Sequence, residues 1–103
     1  MAANNPPTNG VAWNTHLCLK SYTTGRILSN PTIASGDFTI SKDFGAFANL
    51  NTLPDVEPNS TKGVRVQLSA TEMTADSVLV IASDQTEPPE WEDAWFWVAP
   101  AAP

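Results

Sequence analysis

The chain has 103 residues, 42% of them hydrophobic and 16% charged, with eleven acids against five bases for a net charge of −6. That length and apolar share fit one core and leave no room for a second domain with its own active site. The acidic balance repels nucleic acid, and the single cysteine, Cys18, excludes an intramolecular disulfide.

Residues 1–15 carry neither a basic start nor an apolar run, and nowhere do eighteen apolar residues stand together. Neither a signal peptide nor a membrane span is expected. The prolines and asparagines of the opening read as an extended arm over 1–15, ahead of a β domain at 16–98 and an extended tail at 99–103. Nine prolines and five glycines leave no helical window longer than two or three turns.

The first strand is expected at His16–Tyr22, with Leu17 and Leu19 facing one way, before the turn Thr23-Thr24-Gly25. Arg26–Ala34 is interrupted by Asn30-Pro31 and reads as an edge strand or a meandering loop. Asp37–Ser41 alternates, with Phe38 and Ile40 on one face. Lys42-Asp43-Phe44-Gly45 then reads as a hairpin loop whose glycine and aspartate supply positive φ, and Ala46–Asn49 as the returning strand. Leu53–Glu57 is a short stretch ended by the turn formers Pro58–Gly63. The triplet Asn59-Ser60-Thr61 within them matches a glycosylation acceptor and is discounted, because nothing suggests a secretory route.

Gly63–Ala70 is the clearest strand, with Val64, Val66 and Leu68 on one face and Arg65, Gln67 and Ser69 on the other. Thr71–Asp76 has room for one helical turn. Ser77–Ser83 is apolar on both faces and reads as a central strand. An acidic loop, Asp84–Glu90, leads to the aromatic segment Trp91–Val98, whose strand lies at Ala94–Val98. Short strands with turn signals every eight to twelve residues predict an all-β fold, a small antiparallel β-sandwich of immunoglobulin-like type, with a small barrel as the alternative.

At Phe38–Asn49, and again at Val64–Val80, the chain resembles immunoglobulin-like modules of accessory structural proteins of tailed phages. The resemblance rests on strand rhythm and on the run Ser41-Lys42-Asp43-Phe44-Gly45-Ala46-Phe47, and covers residues 16–83. It implies a part of a virion (capsid decoration, neck, tail or fibre attachment) whose partners are other virion proteins or further copies of itself. It implies no catalytic motif and no cofactor.

Trp91, Trp95 and Trp97 fall within seven residues and form the candidate partner surface, since tryptophan is enriched at the energetic centres of interfaces. On a strand, Trp95 and Trp97 share one face while Phe96 and Val98 share the other. Two other readings stay open: plain core packing, and a glycan platform in which flat rings stack on sugars beside Glu90, Glu92 and Asp93. The acidic run lacks the alternating oxygen ligands and turn glycine of a calcium loop, so no metal is expected. His16 and Cys18 share a strand face, but no nucleophile-elbow or zinc motif accompanies them, and an enzyme is not expected.

Overall fold

Alternation of apolar and polar residues builds the larger strands. In the computed structural model, which describes residues 6–58 and 61–103, they are β1 (Trp13–Cys18), β2 (Phe38–Lys42), β3 (Ala48–Asn49), β4 (Asp55–Val56), β5 (Gly63–Leu68), β6 (Val78–Ala82) and β7 (Ala94–Val98). All pairings between these strands are antiparallel, in two sheets ordered β1-β5-β4 and β3-β2-β6-β7. The fold is a small all-β sandwich. Its order matches the B-E-D and C′-C-F-G sheets of the immunoglobulin Greek key.

The core is the set of residues that alternation turns inward. Val64, Val66 and Leu68 of β5 face Phe38 and Ile40 of β2 and Val78, Val80 and Ala82 of β6, with Leu19, Met73 and Trp91 filling the ends. The outward Arg65 pairs with Asp55, opposite it on β4, through a forked contact with N–O distances of 3.1 and 2.8 Å. β6 lies between β2 and β7, as its two apolar faces require.

Several elements differ from expectation. β1 starts at Trp13 rather than His16, because Trp13 pairs with Leu68 and meets the ring of Phe96 edge-on at 6.5 Å. It ends at Cys18, after which Ser21 crosses to pair with Trp91 beside the other sheet. Arg26–Ala34 is loop apart from a pairing of Ile27 with Lys20. Thr71–Asp76 contributes a turn closed by the Met73 N–H on the Ser69 carbonyl, with no helix. The turn formers Asn59 and Ser60, the first two residues of the glycosylation triplet, lie outside the described residues, as do residues 1–5 of the arm.

The described parts of the two arms bind the domain and each other. Thr8 pairs parallel with Ala101, the Asn9 side-chain amide donates to the Ala75 carbonyl at 2.8 Å, and the Gly10 N–H donates to the Met73 carbonyl. Gly10 turns there with φ +80°, a conformation natural to glycine.

Candidate interaction face

The register of the four-stranded sheet fixes what its outer face presents. Ser41 lies opposite Leu79, which lies opposite Trp97; the next rung is Asn49, Thr39, Ile81 and Trp95. Phe47 lies just ahead of β3, two residues before Asn49, at the Ser41 end of this face. No residue of the two rungs is charged, although the chain carries −6. Trp95 is 71% exposed, Trp97 52% and Phe47 49%, whereas Leu79 and Ile81 between them are half-buried. Ser41 is buried at the floor of this face, its hydroxyl donating to the Gly45 carbonyl at 2.7 Å, so its polar atom is satisfied in place.

The face is therefore not flat. Trp95 and Trp97 make a ridge along β7, and the small residues Thr39 and Ser41 make a trough along β2, with β6 midway. Phe47 bounds the far side of the trough. An exposed aromatic surface of this kind makes the face the candidate interaction surface of the domain.

Phe44 stands at one end of this face, 90% exposed. The β2–β3 turn differs from expectation here: positive φ belongs to Asp43 (52°) and Phe44 (63°), not to Gly45. The Gly45 N–H closes the turn on the Lys42 carbonyl at 2.9 Å, and two consecutive positive φ values mark a type I′ turn. Asp43 is locked because its carboxylate accepts the N–H groups of Asp76 and Ser77 at 2.9 and 3.1 Å. Phe44 has no such compensation. A bulky residue in the left-handed region costs about 1–2 kcal/mol, and here that cost is spent displaying an aromatic ring to solvent.

Trp91 does not belong to this surface, which corrects the expected three-tryptophan cluster. It is fully buried, its ring 6.3 Å from that of Phe38 and its indole N–H donating to the Ala82 carbonyl at 3.3 Å. The reason is local. In an unbroken strand, residues 91, 95 and 97 would share a face, but Glu92 and Asp93 interrupt the extended run before β7 and shift its phase.

The neighbouring acids organise the loop that holds Trp91. Asp84 is buried and accepts the N–H groups of Thr86 and Glu90 at 3.0 and 2.6 Å. Desolvation acts to raise the Asp84 carboxyl, yet the hydrogen bonds from Glu90 and Thr86 outweigh it and hold the group below its usual range. Asp37 fixes Ala34 and Gln85, Glu90 accepts the Thr32 N–H at 2.8 Å, and Asp93 accepts the Ser83 hydroxyl at 2.7 Å. These carboxylates are dispersed structural acceptors. Among the described residues, no group of three His, Cys, Asp or Glu side chains is placed to hold a metal.

His16 and Cys18 both sit on β1, but the His16 Nε2 contacts the Glu57 carbonyl, which only a protonated nitrogen can satisfy. That nitrogen is unavailable as a base toward the thiol. Cys18 lines a cavity of about 130 Å³ between the two sheets, together with Leu17, Phe38, Val80, Trp95 and Phe96. The cavity offers apolar packing space and no acid–base pair.

Compared with family models, with curated proteins and with solved structures, the chain has no match.

Proposed function

We propose that this chain is a non-enzymatic accessory structural protein of a tailed-phage virion that docks through the outer face of its β3-β2-β6-β7 sheet. The observation that carries the docking reading is that face itself: Trp95 and Trp97 exposed on two rungs with no charged residue, and Phe47 exposed beside them, on an otherwise acidic molecule. Uncharged, aromatic centres with charge kept to the rim are what protein interfaces bury. The virion setting is supported by the sequence resemblance at Phe38–Asn49 and Val64–Val80. Glycan binding draws less support, because Leu79 and Ile81 occupy the middle of the face where hydroxyl-binding carboxylates or amides belong.

The test is mass-spectrometric counting of this chain in density-purified particles, for the native chain and for the double substitution Trp95→Ser, Trp97→Ser. A fixed copy number for the native chain, lost in a double variant that still unfolds cooperatively with its midpoint only slightly lowered, is the expected result. Equal incorporation of both chains removes the face from the mechanism, and absence of the native chain from particles ends the virion reading.

A further inference from the structure

The shape of the outer face suits one partner in particular. The order β2-β6-β7 places the trough of Thr39 and Ser41 one strand to one side of β6, and the ridge of Trp95 and Trp97 one strand to the other. A two-fold axis running along β6, in the plane of contact, carries the ridge of one copy onto the trough of a second, and the second's ridge onto the first's trough. We propose that this face pairs with the same face of a second copy, giving an isologous dimer of two stacked sheets. The inference rests on the outer face being the working surface and names its partner.

The rungs fit this arrangement residue by residue. Trp97 of each copy lies over Ser41 of the other, flanked by Phe47 and Leu79, and Trp95 lies over Thr39, flanked by Asn49 and Ile81. The smallest side chains of the face lie under its largest, which is how facing layers reach native packing density. Ser41 already bonds the Gly45 carbonyl, so covering it strands no polar group. Leu79 and Ile81 lie on the axis and meet their own mates.

Area and charge set the strength of the pairing. With about 200 Å² for a whole aromatic side chain, the exposed fractions of Phe47, Trp95 and Trp97 leave about 350 Å² of aromatic surface per copy. Two such faces bring together about 700 Å², to which Leu79 and Ile81 on the axis add theirs, a contact of the small and weak class. Each copy carries −6, and none of that charge sits on the two rungs. The next rung beyond Trp95, however, holds Asp37 and Asp93, which the same axis sets over each other at the edge of the contact, so association meets a like-charge repulsion that salt screens.

The test is sedimentation equilibrium of the purified chain from about 10 μM to 1 mM, a range that brackets weak association. A monomer–dimer equilibrium is expected, tightened several-fold between about 0.05 and 0.5 M salt because screening relieves like-charge repulsion. The Trp95→Ser, Trp97→Ser pair should be monomeric throughout, and Ile81→Lys, which places charge on the axis, should be monomeric with both tryptophans intact. In a Cys18→Ser background, Leu79→Cys should be joined to its own mate by a short bifunctional thiol reagent. A native chain that stays monomeric at 1 mM overturns the proposal, as do chains longer than two, or a dimer that survives both face variants or weakens with salt. A monomeric chain that still needs Trp95 and Trp97 to enter particles would leave the docking reading standing and remove only the self-pairing.

Discussion

Trp91 and Trp95 are four residues apart, yet one is sealed in the core and the other is 71% exposed on the outer sheet face. The same indole does different work in each place. Inside, Trp91 packs on Phe38 and finds a carbonyl for its N–H, so the ring serves the fold. Outside, Trp95 pairs with Ile81 on the neighbouring strand and leaves most of its surface to solvent, so it contributes little to the domain's own core. Two residues of broken extension, Glu92 and Asp93, separate these roles, and what they change is strand phase rather than hydrophobicity.

The sharpest way to test that division is to remove the inner ring. Trp91→Ala leaves a core cavity that no neighbour can fill, and a loss of about 3–5 kcal/mol is expected from such truncations. Urea unfolding followed by the remaining tryptophans would measure it, and an unchanged midpoint would place Trp91 outside the core. For a domain of this size, a loss of that order consumes a large part of the whole stability.

Asp84 supports the inner ring from the loop side and gives the next effect. Asp84→Asn keeps the shape but weakens two charge-assisted bonds, for an expected loss of about 1–3 kcal/mol at neutral pH. The folded carboxyl titrates below its unfolded value, so its stabilisation is present above about pH 4 and fades as pH falls through the lower folded value. Unfolding curves of the two chains should therefore converge in acid. A gap of constant size down to the lowest pH would mean that the charge of Asp84 has no part in its role.

The outer ring should respond far less. Trp95→Ser removes a cross-strand contact with Ile81, and pairs of this kind contribute about 0.2–1 kcal/mol. The expected drop in thermal midpoint is then a fraction of that for Trp91→Ala. Equal losses at the two positions would break the comparison and return Trp95 to the core.

Much of the fold could be read because burial and alternation agree. The sequence reading of β7 has the observed bounds, and β5 and β6 agree to within two residues, since β5 alternates apolar with polar while β6 and β7 are short apolar runs bounded by turn formers and acids. β4 is two residues long and is defined by its pairing with β5, to which Arg65–Asp55 adds an exposed contact, and no local pattern announces a pairing between strands. The outer face was legible only in part. Trp95 and Trp97 follow from alternation along β7, but Phe47 joins them only through pairing across β2 and β6, and pairing order is invisible to a period count. Alternation along the expected strand Ala46–Asn49 offered the one clue, since it puts Phe47 on the side of Asn49. Nearness in sequence groups Trp91 with Trp95 and Trp97, but it cannot tell that a side chain ahead of β7 turns into the core.

Phe44 gives the smallest effect and the most telling sign. A glycine there would take up φ +63° freely and relieve the roughly 1–2 kcal/mol that a side chain incurs in the left-handed region. It would also add backbone freedom to the unfolded chain, which costs about 0.5–1 kcal/mol. The ring makes little packing contribution to weigh against this, being 90% exposed. Phe44→Gly should therefore stabilise the monomer by about 0.5 kcal/mol, visible as a small rise in the thermal midpoint at dilute concentration where association is absent. Losing an aromatic residue and gaining stability is the mark of a side chain kept for contact rather than for folding. A fall in the midpoint would mean that the ring packs on its own domain, and the turn would then need no explanation beyond the hairpin it closes.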